Sequence, residues 1–344
     1  MLEISLAELR ELISNVIMEG GLKLGVEKRV ELTPSLVKQA CSVYVDFIKK
    51  WNSWLALRGF APVEAIAPSG SSTYAEKDAI ENPKTTYGDV DYLVSFPIAY
   101  TSDDINQQRK DEATSEKLYT ELMTKFLKEA RPKNIDVEST LKGVALQVIV
   151  ELPGGVLVQV DTTVTHPKHT EWMKGRYTPE RGIKGYVTGN LYKALGDFLT
   201  LSIGTEGVLA RVKDGQRVSS KQRTGVKFER VSNDFKTFLA DIAIYVGGQD
   251  IQFDKLLSKY SGMDPDNISI ESLALGIVGL AKTFDVAGIY DKNDMLRQVL
   301  LNFNHGMEEN VNKKATKNLD QSKESKLRQL NRQQYDRVKQ IFKI

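Results

Sequence analysis

The sequence predicts an α+β fold: a mixed sheet with its helices, followed by a mainly helical module that carries a basic β-hairpin. Three observations predict it. Short apolar strands cluster between residues 63 and 165, turns such as Pro153-Gly154-Gly155 punctuate them, and helical periodicity dominates after Pro167. The chain has 344 residues, 41% hydrophobic and 27% charged, enough for one large domain or two ordinary ones.

The elements follow in order. Ser5 and Glu8 form a capping-box pattern, and Leu6, Leu9, Ile13 and Val16 share one face, so a first helix is expected over 5–18, stopped by Gly20-Gly21. Thr33-Pro34 reads as an N-cap followed by an N1 proline. From there Val37, Ala40, Tyr44, Phe47, Ile48, Trp51 and Leu55 keep helical spacing up to Gly59. Trp54 belongs to the same packing face. Residues 63–67 read as a buried strand that ends at Pro68-Ser69-Gly70-Ser71-Ser72, and a polar stretch runs on to Gly88. A second strand opens as Asp89-Val90-Asp91-Tyr92-Leu93 and stops at Pro97. Leu118, Leu122 and Phe126 mark a helix over 105–130.

Strands at 144–151 and 156–164 make a hairpin about Pro153-Gly154-Gly155. Leu191, Leu195, Phe198 and Leu199 form a helical stripe, for which Asn190 is the expected N-cap. Residues 207–230 read as a hairpin turning at Asp214-Gly215. Helices are expected near 233–246, 251–260, 270–284, 292–303 and 318–342, with His305 at a helix end.

Composition excludes several function classes. Cys41 is the only cysteine, which removes disulfide frameworks and cysteine-zinc clusters. His166, His169 and His305 are the only histidines; the first two are expected in a surface loop. No P-loop, no dinucleotide fingerprint and no Ser-His-Asp arrangement is present. The N-terminus is acidic where a signal peptide is basic, and no apolar run approaches ~18 residues. A soluble cytoplasmic protein without a membrane partner is expected.

The net charge of +2 is unevenly spread: residues 313–344 carry a balance of +7 and residues 211–230 a balance of +5. Such asymmetry points to a polyanionic partner, against the alternative of solvated helix and hairpin faces.

The chemistry-bearing pattern is acidic. Asp89 and Asp91 are two apart in a strand, which puts both carboxylates on one face, about 7 Å apart. Asp161 sits in a second apolar strand, Val158-Gln159-Val160-Asp161-Thr162. If the strands are neighbours, three carboxylates converge, an oxygen-only set that suits Mg²⁺ or Mn²⁺. Gly70-Ser71 supplies a turn whose glycine lets backbone N–H groups approach a phosphate.

In Gly70-Ser71, Asp89-Val90-Asp91-Tyr92-Leu93 and Val160-Asp161, the sequence resembles the DNA polymerase beta-like nucleotidyltransferase superfamily over residues 63–165. The resemblance implies a nucleotidyltransferase-type sheet. It implies that Asp89, Asp91 and Asp161 are catalytic and bind two divalent ions, and that Ser71, with Gly70, holds a nucleoside triphosphate. Superfamily members often use a residue near position 186 or in the helix after it to contact the sugar or base, which makes Tyr186 a candidate to stack on a base and Lys193 a further triphosphate or ribose contact, with Arg176, Arg181 and Lys184 as candidate triphosphate ligands. Seventeen residues separate Ser71 from Asp89, more than the family commonly has, and a helix plus a loop is expected there.

The implied organisation is an N-terminal helical segment at 1–34, a catalytic domain at 35–185, a mainly helical domain at 186–312 and a basic C-terminal helix at 313–344. The expected activity is transfer of a nucleoside monophosphate from an NTP, ATP first, to a hydroxyl such as an RNA 3′ end. RNA would lie on 211–230 and 313–344. The rivals are an oligonucleotide or cyclic-dinucleotide synthase of the same superfamily, and a non-catalytic basic RNA- or protein-binding module.

Overall fold

The computed structural model describes residues 32–88, 90–130, 135–136, 145–177, 185–219, 222, 224–248, 263–265, 268–315 and 321–344. The helices expected at 5–18 and 251–260, and Asp89, lie outside the described residues. The chain divides into two compact units, Met1–Ala99 with Lys110–Pro167, and Tyr100–Arg109 with Lys168–Ile344. It is α+β, with a five-stranded mixed sheet in the first unit and a helical assembly with a smaller sheet in the second.

In the first unit, α1 (Pro34–Ala56) starts where the Leu36 N–H donates to the Thr33 hydroxyl, 3.3 Å, with Pro34 fixing the first turn. Its buried stripe is the one that the spacing predicts, from Val37 to Leu55. The sheet runs in the order β1 (Glu64–Ser69), β2 (Val90–Ser95), β5 (Val156–Thr165), β4 (Ala145–Leu152), β3 (Ile135–Asp136). Only β2 and β5 pair in parallel; the other neighbours are antiparallel.

Val90, Tyr92 and Val94 of β2, Val158, Val160 and Val164 of β5, and Val148, Val150 and Leu152 of β4 share one core cluster with Tyr44, Phe47 and Trp51 of α1. The same cluster takes Tyr119, Leu122, Met123 and Phe126 from α3 (Ile105–Ala130), whose residues 105–109 belong to the second unit. Leu118, expected on that face, is exposed; the helix is rotated so that Tyr119 and Met123 point inward instead. Thr162 is the one polar side chain on the helix side of β5, and it shares a hydrogen bond with the buried Tyr44 hydroxyl. The period of 2 then turns Asp91, Gln159 and Asp161 to the opposite face.

The segment between Ser71 and Asp89 contains a helix and a loop. A 3₁₀ turn (Gly70–Tyr74) leads into α2 (Ala75–Glu81). Asp78 of α2 is buried and accepts a hydrogen bond from the Tyr87 hydroxyl, 2.5 Å, while Tyr87 exchanges backbone hydrogen bonds with Leu32.

The second unit holds α4 (Thr170–Tyr177), α5 (Gly185–Leu199), strands β6 (Leu201–Gly204), β7 (Gly207–Lys213), β8 (Gln216–Arg217) and β9 (Lys227–Ser232), and helices α6 (Phe238–Gly247), α7 (Ile270–Val286), α8 (Lys292–Ala315) and α9 (Gln321–Phe342). Asp214 and Gly215 both have positive φ, 52° and 77°, as the tight two-residue turn requires. The expected hairpin is only part of the arrangement, because β7 pairs with β6, β8 and β9.

Three expectations are corrected in this unit and its neighbour. Asn190 is not an N-cap, since α5 begins at Gly185 and Asn190 is buried inside it. His305 is not at a helix end, since α8 runs on to Ala315. Gly306 follows it as a point of close approach: a Cβ there would stand 2.8 Å from Asn190 Oδ1. His166 and His169 are buried rather than in a surface loop, and His166 Nδ1 lies 3.3 Å from the Phe96 carbonyl. The inward stripe of α9 is Asn331, Gln334, Val338 and Phe342, with Leu327, Leu330 and Ile341 only half-buried. Asn331 is satisfied there, accepting from the Tyr186 hydroxyl at 2.6 Å and donating to the Met307 carbonyl at 3.2 Å. Among the described residues no helix is long and apolar enough to cross a membrane.

Candidate functional site: two facing aspartates and a glycine turn

The site is built at the centre of the first unit's sheet. Asp91 is the Cα partner of Ser69 on β1 and of Asp161 on β5. In a parallel ladder, matched residues on adjacent strands point the same way about 4.8 Å apart. The structure therefore brings Asp91 and Asp161 side by side, on the face away from α1. Both are half-buried.

Gly70 follows Ser69 directly and bends the chain over Asp91. Its φ is +57°, a conformation that L side chains rarely adopt. A Cβ at Gly70 would stand 2.5 Å from Asp91 Oδ2, so the carboxylate occupies the space that any side chain would need. The Asp91 N–H donates to Ser72 Oγ at 3.0 Å, and Ser72 is buried. The Thr73 hydroxyl donates back to the Pro68 carbonyl at 3.3 Å. The turn is thus fastened to β2 at the aspartate itself, and it leaves Ser71 exposed.

Asp161 is held from its own strand. Gln159 Nε2 donates to Asp161 Oδ1 at 2.6 Å, a short bond of the charge-assisted kind. Ser72 and Gln159 were not singled out by sequence reasoning. A signal existed for Gln159, which shares the face of Asp161 by strand period. None existed for Ser72, whose neighbour Ser71 has the same chemistry.

The donor set of Asp91 and Asp161 is oxygen only, on one face and at one level of the sheet, and fits a hard divalent cation. Among the described residues no group of three or more His, Cys, Asp or Glu side chains gathers as a metal site. Asp89, the expected third carboxylate, lies outside the described residues, as do Arg181, Lys184 and the side chain of Arg176. Lys193 lies on α5 in the second unit and pairs with Asp197 at 3.3 Å. Tyr186 is tied to Asn331, and burial pushes its phenol up to about 12.

The two basic segments differ. In the hairpin region, Arg109 and Arg211 lie over the Phe228 ring at 4.3 Å and 5.6 Å. Arg217 donates to the Leu199 carbonyl and Arg230 to the Glu206 carbonyl. On α9, Arg328 pairs with Glu308 at 2.7 Å and Glu324 at 2.9 Å, and Arg337 with Glu271 at 3.3 Å. Lys326, Arg332 and Lys339 are exposed on the same helix.

No family model matches the chain. No curated protein matches it either. Two solved structures of Leishmania infantum polymerase beta are similar to it. The ternary gap complex aligns at 12% identity and a TM-score of 0.36, over 83% of this chain and 79% of that one. The ternary P/T complex gives the same identity and TM-score over 83% of this chain and 86% of that one.

Proposed function

We propose that this chain is a divalent-metal-dependent nucleotidyltransferase that moves a nucleoside monophosphate from an NTP, ATP first, to a hydroxyl acceptor, an RNA 3′ end first. The single observation that supports it most is the register that sets Asp91 against Asp161 beneath the Gly70 turn.

The roles follow from position. Asp91 and Asp161 would hold two Mg²⁺ or Mn²⁺ ions, with Asp89 as third ligand. Ions bound there would lower the pKa of the attacking hydroxyl and neutralise charge on the departing pyrophosphate. The Gly70 turn brings its backbone and the exposed Ser71 hydroxyl to the rim, where they would hold triphosphate oxygens. Ser72 keeps that turn registered on Asp91. Asp161 would stand nearest the acceptor hydroxyl.

The RNA acceptor is supported by the basic balance of 211–230 and 313–344, above all by the exposed Lys326, Arg332 and Lys339. The test is incubation with each of the four labelled triphosphates and Mg²⁺, with and without total RNA. Label on RNA supports the full reading. Labelled oligomers or cyclic products without RNA would move the function to an oligonucleotide synthase. No transfer and no metal-dependent nucleotide binding would leave a non-catalytic binding module.

A further inference from the structure

We infer that Gln159 is a positioning residue for the divalent-cation site, acting through Asp161. The inference rests on the reading of Asp91 and Asp161 as cation ligands. The starting observation is the bond of 2.6 Å from Gln159 Nε2 to Asp161 Oδ1.

A carboxylate on a β-strand turns about two side-chain torsions, and only one range of them faces a neighbour at the same level. Asp161 has Asp91 as that neighbour, across the parallel ladder. Two carboxylates so placed repel each other when no cation lies between them. The Gln159 amide opposes this by fixing one oxygen, Oδ1, from two residues back along the same face.

A neutral donor suits this place. It adds no charge to the site, so it orients the carboxylate without competing with the cation. The Gln159 side chain is itself carried on a strand flanked on both sides, by β4 and β2. Its Cα partner on β4 is Ile149, so the amide stands on the paired part of the ladder and away from the hairpin end. On β2 the support is to the main chain instead: Ser72 Oγ accepts from the Asp91 backbone N–H at 3.0 Å.

Partners of this kind typically change metal affinity by about 10–100-fold when removed. The experiment is Mn²⁺ binding to the full-length protein by isothermal titration, comparing wild type with Gln159→Met, which keeps length and volume but has no donor. Thermal melting without metal is recorded in parallel. The expected result is an Mn²⁺ Kd raised about 10-fold at an unchanged melting temperature. If Gln159→Met melts early, Gln159→Asn serves as the second variant. It keeps the amide one methylene too short to reach Oδ1 from the same position, and it is expected to show the same weakened Mn²⁺ binding. Unchanged Mn²⁺ affinity in a folded Gln159 variant, with Asp161→Asn clearly weaker, overturns the role of Gln159 alone. Unchanged affinity in Asp161→Asn overturns the cation site on which it rests.

Discussion

The backbone of Gly70 and the carboxylate of Asp91 fill one space: a Cβ at residue 70 would come 2.5 Å from Asp91 Oδ2. Gly70→Ala therefore has two costs, the left-handed φ of +57° and the displaced carboxylate. The expected outcome is a loss of about 1–3 kcal/mol in denaturant unfolding. Nucleotide transfer should fall more steeply than stability does. A variant as stable and active as wild type would show that the turn and the aspartate are not coupled.

Asp91→Asn and Asp161→Asn should leave the fold intact. Each removes one of two like charges set side by side, so in metal-free buffer the melting temperature should be unchanged or slightly raised. Added Mg²⁺ should stabilise wild type and not the variants. Equal stabilisation of all three would place the cation elsewhere.

The C-terminal helix should depend on one buried amide. Asn331→Ala leaves the Tyr186 hydroxyl and the Met307 carbonyl without their partner. The expected loss is about 1–3 kcal/mol. Hydrogen exchange should quicken in α9 before the first unit's sheet is affected, and uniform exchange across both would contradict this.

Alkaline pH should act through buried phenols. Burial pushes Tyr92 and Tyr186 up to about 12 from an ordinary 10.0. The folded chain keeps these protons where the unfolded chain releases them. Their contribution to stability is thus full below pH 10.0 and falls as pH rises toward about 12. Absorbance titration of tyrosinate should show a late class of phenols that coincides with unfolding, and Tyr186→Phe should remove part of it.

The acceptor face is tested by charge. Reversing Lys326, Arg332 and Lys339 to Glu should weaken RNA binding and flatten its logarithmic salt slope by about 2, at ~0.7 per single-strand phosphate contact. An unchanged slope would remove RNA from this helix. Nucleotide binding in the first unit should not move.

Parts of this account were legible in the sequence for definite reasons. The stripe from Val37 to Leu55 and the turn at Asp214-Gly215 depend on local spacing and local φ, which sequence carries. Strand period placed Asp91 and Asp161 each on a face, but the match between them is a matter of register between strands far apart in the chain. Ser71 and Ser72 are alike until a 3₁₀ turn decides which one points at Asp91. His305-Gly306 read as a stop because glycine disfavours helix, yet packing on Asn190 needs glycine there and outweighs propensity. Asn331 fell outside the apolar pattern because its partners come from distant segments.

The most direct test of the central claim is transfer of label from α-labelled ATP in Mg²⁺ by wild type, Asp91→Asn and Asp161→Asn, with circular dichroism on each. Metal-dependent labelled product from wild type, and at least a hundredfold less from both folded variants, is the predicted result. Product formed at similar rates by wild type and either variant would contradict the assignment of these two aspartates.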